Sequence, residues 1–146
     1  MKKIIKFTII ILLIMLSVKS NAQIVKGKHL IVFTYKREYT FLDENEKFQT
    51  DTSYDEESVF KFNNDFTMCE HHTLNRTSNY FMLDKFRVYN EQPEKKIYHG
   101  KCMSDVGNLY NIYLNLEDDY LVMTFMLKGK MYNIFFFIKN AIFVPN

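Results

Sequence analysis

The residues best equipped for chemistry lie in two short runs, Cys69-Glu70-His71-His72 and His99-x-x-Cys102. Their side chains are of the kind that ligate zinc or act as nucleophile and base. Spacing argues against both uses. On an extended strand Cys69 and His71 share one face while Glu70 and His72 point the other way, and His99 and Cys102 also fall on opposite faces. Tetrahedral zinc needs four convergent ligands, so no metal site is expected and the histidines read as residues of a solvated face. A Cys69–His71 nucleophile pair would lack an orienting third group and an oxyanion loop. No catalytic residue, cofactor or metal ligand is therefore assigned.

Cys69 and Cys102 are the only cysteines. In an oxidising compartment an even count invites a disulfide. Closing the 33-residue separation would contribute roughly 3–4 kcal/mol on the chain-entropy estimate. Two thiols packed as small hydrophobes are the alternative. The acidic stretch from Asp43 to Glu57 has oxygen ligands enough for calcium, but it lacks the D-x-D-x-D-G spacing and any glycine for a tight bend. It reads as a solvated loop. Ser104-Asp105-Val106-Gly107-Asn108 reads as a hairpin turn rather than a phosphate loop, and Asn75-Arg76-Thr77, formally a glycosylation sequon, as a turn.

The compartment is suggested by the first twenty-two residues. Lys2, Lys3 and Lys6 precede an apolar run from Phe7 to Leu16, and Ser20-Asn21-Ala22 places small residues before a cut ahead of Gln23. Basic, apolar, small-x-small is the order of a secretory signal peptide, and Lys19 ends the run short of the roughly 20 residues a membrane span needs. The segment resembles signal peptides of Gram-negative bacteria, which implies a periplasmic or extracellular protein. Residues 1–22 are thus read as a signal peptide and 23–146 as one exported domain, with no stable membrane span after cleavage. The 146-residue chain holds 19 Lys+Arg and 17 Asp+Glu. Removing the four lysines of the signal leaves 15 against 17, a net charge of −2 over 124 residues. Such a domain has no basic field for nucleic acid, and it is long enough to build a core without metals.

Fourteen Phe and ten Tyr, with no Trp, load the chain with strand-favouring aromatics. Turn-forming clusters recur along it: Asn63-Asn64-Asp65, Asn75 to Asn79, Asn90 to Glu94 around Pro93, Ser104 to Asn108, Glu117-Asp118-Asp119 and Lys128-Gly129-Lys130. Between them apolar residues alternate, as in Tyr110, Ile112, Leu114 and Leu116, the period of half-buried strands. Ile31, Phe33, Tyr35, Tyr39 and Phe41 are expected to share one face across a bend near Lys36-Arg37. About eight strands are expected, near 29–42, 58–63, 66–74, 79–89, 96–103, 108–116, 120–127 and 130–139. The fold class is all-β, a small antiparallel barrel or a two-layer sandwich ending in a meander. The phrase Phe60-Lys61-Phe62-Asn63-Asn64-Asp65-Phe66-Thr67, a hairpin leading into a meander, resembles small bacterial lipocalin-like domains. That resemblance concerns the fold and brings no functional residue with it.

The last two strands are apolar on both faces, Leu121, Met123 and Phe125 against Tyr120, Val122 and Met126, then Ile134, Phe136 and Ile138 against Phe135 and Phe137. Such strands need cover on both sides. The tail Ala141 to Val144 folding back, a partner subunit, or an apolar ligand would each supply it. Non-enzymatic binding of a small apolar or amphipathic ligand is the leading expectation, in a lumen lined by Tyr80, Met82, Tyr110, Ile112, Phe125 and Phe136. The alternative is a protein–protein interaction module, an inhibitor or envelope accessory subunit, using the apolar outer face of the last strands.

Overall fold

The structure, a computed structural model, describes residues 28–84, 86–88 and 96–145. The expected signal peptide and the expected turn around Pro93 lie outside the described residues. Nine strands follow in order: β1 Lys28–Leu42, β2 Phe48–Phe62, β3 Met68–His72, β4 Thr77–Met82, β5 Arg87–Val88, β6 Ile97–Ser104, β7 Leu109–Asn115, β8 Tyr120–Leu127 and β9 Lys130–Pro145. Among the described residues there is no helix. Each long strand pairs antiparallel with the next, β9 returns to β1, and β4 meets β6. The sheet therefore closes into an up-and-down barrel of eight strands, not a sandwich. β5 stays outside the ring and pairs with β6 alone.

The ring is not evenly sewn. β1 and β9 pair from Lys28↔Pro145 to Phe41↔Tyr132, with register shifts only between Phe33 and Lys36. β4 and β6 pair over Tyr80–Met82 against Cys102–Ser104, with one backbone hydrogen bond beyond each end, from Asp105 N–H to the Asn79 carbonyl and from Leu83 N–H to the Lys101 carbonyl. β5 then takes over, with Arg87 opposite His99.

Local chemistry sets the turns. Asn63 Oδ1 accepts from the backbone N–H groups of Thr67 and Met68, and Phe66 takes a positive φ of 56°. Lys128 and Gly129 both have positive φ, 50° and 76°, the two-residue geometry that matches strand twist. The turns before β2, β4, β7 and β9 lie at one end of the barrel. Those before β3 and β8, together with Leu83 and Asp84, lie at the other.

Leu30, Val32, Phe60, Tyr98, Ile112, Leu114, Leu121 and Met123 fill the interior. At the second end Phe62, Phe66, Phe86 and Tyr98 form an aromatic plug, with neighbouring ring centroids 5.5–6.0 Å apart. Gly100 permits it, because a Cβ there would lie 3.1 Å from Phe86 Cδ2. The outer wall carries both charged side chains, such as Lys61, Glu70 and Lys101, and aromatic ones, such as Tyr35, Phe135 and Phe137. No helix of the described residues is long and apolar enough to cross a membrane.

Several expectations are corrected. Residues 48–57 are strand rather than loop: β1 supplies their ladder partners from Lys36 to Leu42, and Asp51, Asp55 and Glu57 stay exposed while Glu56 is half-buried against Arg37. Bulges around Tyr35 shift β1 against both neighbours. Leu30, Val32 and Thr34 therefore face inward instead of Ile31 and Phe33, while Arg37, Tyr39 and Phe41 turn inward after the bulge, opposite Phe136, Ile134 and Tyr132. The tail does not fold back, because Ile142 to Val144 continue β9 alongside His29 to Ile31. Cys69 and Cys102 are both buried and unbonded. Both point inward, yet β4 lies between their strands, and two strand spacings of about 4.8 Å exceed the reach of a disulfide.

Candidate functional site

The end opposite the aromatic plug encloses a cavity of about 370 Å³. Strands from most of the ring contribute to it: Arg37 and Tyr39 from β1, Glu56 from β2, His71 from β3, Ser78 and Tyr80 from β4, Ser104 from β6, Tyr110 from β7, and Ile134 and Phe136 from β9. Arg76 and Asp105, from the turns at the mouth, complete its rim.

Arg37 reaches the cavity because the bulge at Tyr35 reverses the facing of β1. One terminal nitrogen of its guanidinium donates to Glu56 Oε2 at 2.9 Å. The group also lies over the rings of Tyr39 and Tyr54, 5.3 Å from each centroid, so charge pairing and aromatic contact hold it in one place. Its Nε is buried without an acceptor.

His71 forms another wall. Its ring stacks on Phe60 at 4.0 Å and meets Phe136 edge-on at 5.1 Å. Nε2 and Ser58 Oγ are 2.9 Å apart, and that hydroxyl continues to Thr34 Oγ1 at 2.7 Å. Burial, followed by the positive charge of Arg37, lowers the imidazole pKa to about 4, so the ring is neutral near pH 7. With 5% of its surface exposed, it is not the solvated histidine the sequence suggested. Alternation placed Cys69 and His71 on one face, and that face is the interior. His72 does face outward, with Nε2 2.8 Å from Glu70 Oε2.

Aromatic rings line the remaining side. Tyr80 meets Tyr110 edge-on at 5.7 Å, Tyr110 meets Phe125 at 5.6 Å, and Phe125 stacks on Tyr132 at 5.6 Å. Burial first, then neighbouring Tyr110, pushes the Tyr80 phenol up to about 12, so it remains a hydrogen-bond donor. Beyond Tyr110 the cavity adjoins an apolar trough of about 690 Å³ beside Phe125, Met126 and Leu127.

Of the residues expected to line a lumen, Tyr80, Tyr110 and Phe136 border the cavity and Phe125 borders the trough. Ile112 lies in the packed core, and Met82 borders a separate recess near Phe66 and Phe86. No known protein family, curated protein or solved structure matches this chain. The chemistry must therefore be read from the side chains. Among the described residues no group of three or more His, Cys, Asp or Glu could hold a metal ion, and no carboxylate orients His71. What the cavity offers is hydrogen bonding and ring contact around one fixed cation.

Proposed function

We propose that this protein is an exported binding module that holds a small amphipathic ligand in the open end of its barrel. The reading is carried by the difference between the two ends. One is plugged by stacked Phe62, Phe66, Phe86 and Tyr98, while the other encloses about 370 Å³ bordered by both aromatic rings and polar groups. That size and mixture suit a small-molecule site. Export is proposed on the basic–apolar–small order of residues 1–22.

Native mass spectrometry of protein purified from its own host tests the reading, together with a thermal-shift panel of amphiphiles. A retained small-molecule mass or a ligand-dependent rise in Tm is expected. A bare mass with no shift across the panel would sink it.

A second reading, an interaction module, draws on the outer face of the last strands. Tyr113, Tyr120 and Phe135 form one outward run of ring contacts spaced 6.0–6.2 Å, and Phe137 with Tyr35 forms a second at 6.3 Å. Light scattering showing a monomer, with no partner recovered by cross-linking, counts against it.

A further inference from the structure

We propose that the ligand is a long-chain amphiphile with an anionic head, bound with its head against Arg37 and its chain along the apolar trough. This rests on the binding reading above and names the class of molecule that site takes.

The two compartments are neighbours, with Asn108 and Tyr110 bordering both. They differ in character. The inner one presents Arg37, Glu56, Ser78 and Ser104, groups that an inserted hydrocarbon chain would strip of water without replacing their hydrogen bonds. The outer one is the place for the chain. Leu109 and Met126 are 63% and 62% exposed there, with Leu127 and Met131 beside them. Apolar side chains gathered in this way mark a site for apolar contact, and flexible methionines adapt to a chain of varying shape.

The head is assigned by the charges. Glu56 is already committed to Arg37, while Arg37 has a buried Nε with no acceptor and is fixed against Tyr39 and Tyr54. Arg76, at the mouth, forms no ion pair among the described residues. An anion brings a counter-charge for Arg76 and a further acceptor for the guanidinium of Arg37, both of which line the cavity. A cation would meet both arginines, with Asp105 the one lining acid not paired to an arginine; that carboxylate sits at the rim, 3.3 Å from the Asn79 backbone N–H.

The test is calorimetric titration of the full domain with dodecanoate and dodecyltrimethylammonium, each below its micelle concentration, and with methyl dodecanoate below its solubility limit. Dodecanoate is expected to bind at least tenfold tighter than the other two. R37M should erase that preference, and L109S/M126S, changed at exposed positions that leave the core intact, should weaken dodecanoate at least tenfold. Equal binding of acid and ester overturns the anionic head. Dodecanoate binding that ignores L109S/M126S overturns the chain placement, a result that stands even if R37M fails to fold. If dodecanoate does not bind while native mass spectrometry shows another retained molecule, this inference fails and the binding reading survives.

Discussion

Acid should weaken this fold through His71 before it acts through the carboxylates. Burial and the nearby Arg37 charge lower the imidazole from 6.5 to about 4. In the unfolded chain the same ring takes up a proton near its ordinary value, so below that pH the unfolded state binds more protons and stability falls. The contribution is complete above about pH 6.5 and is lost progressively as pH drops toward 4. A gap of about 2.5 pH units corresponds to about 3 kcal/mol, of which about 2 kcal/mol is gone by pH 5. Asp43 and Asp65 are held below their usual 3.8, Asp43 mainly by the Lys47 backbone N–H and Asp65 mainly by the Thr67 hydroxyl. Their contributions are present above that value and disappear only at lower pH. The assay is urea unfolding followed by circular dichroism at pH 7.5, 6 and 5, for the wild type and His71→Gln. Subtracting the two curves cancels every other titrating group. The wild-type advantage should shrink by about 2 kcal/mol between pH 7.5 and 5. A constant difference across that range, or an imidazole titrating near 6.5 by NMR in the folded protein, would refute the reasoning.

Two further outcomes concern packing. Gly100→Ala should lower the urea midpoint with an unchanged m-value, at a cost of about 1–3 kcal/mol, because its Cβ would meet Phe86 at 3.1 Å and Asp84 Oδ1 at 3.4 Å. The stacked plug leaves Phe86 little room to retreat; an unchanged midpoint would show that it moves freely. Cys69 and Cys102 should resist Ellman's reagent until the protein unfolds, since burial raises both thiols, Cys102 to about 12. Mild oxidation of the folded protein should leave the intact mass without the loss of two hydrogens, whereas that loss would mean the strands can rearrange around β4.

The strands that alternate strictly were readable from residue order. β7 places Ile112 and Leu114 inward as period two requires. β2 was not readable over Asp51 to Glu57, because acidic residues have poor strand propensity and what holds them extended is the ladder from β1, a partner distant in sequence. A bend near Lys36-Arg37 was expected from the residues, but not that a bulge at Tyr35 would invert the facing of the second half of β1. The site divides along the same line. Tyr80, Tyr110 and Phe136 were accessible as aromatics on alternating faces. Arg37 and His71 were missed because a polar side chain is tolerated inside only through partners such as Glu56 and Ser58, which folding alone brings near. The disulfide failed for a related reason, since residue order reveals a shared face but not the strand standing between two cysteines.

The uneven sewing of the ring gives the cylinder a clasp. β1 with β9 acts as its spine, in register along most of β1. Tyr80–Met82 against Cys102–Ser104 is the short fastening. Local opening draws on the least-supported ladder first, and both halves of this fastening touch the cavity, through Tyr80 and Ser104. Parting it would widen the bore at the open end, while stacked Phe62, Phe66, Phe86 and Tyr98 fill the far end. On the binding reading proposed above, a guest would enter beside the seam with the fewest ladder pairs.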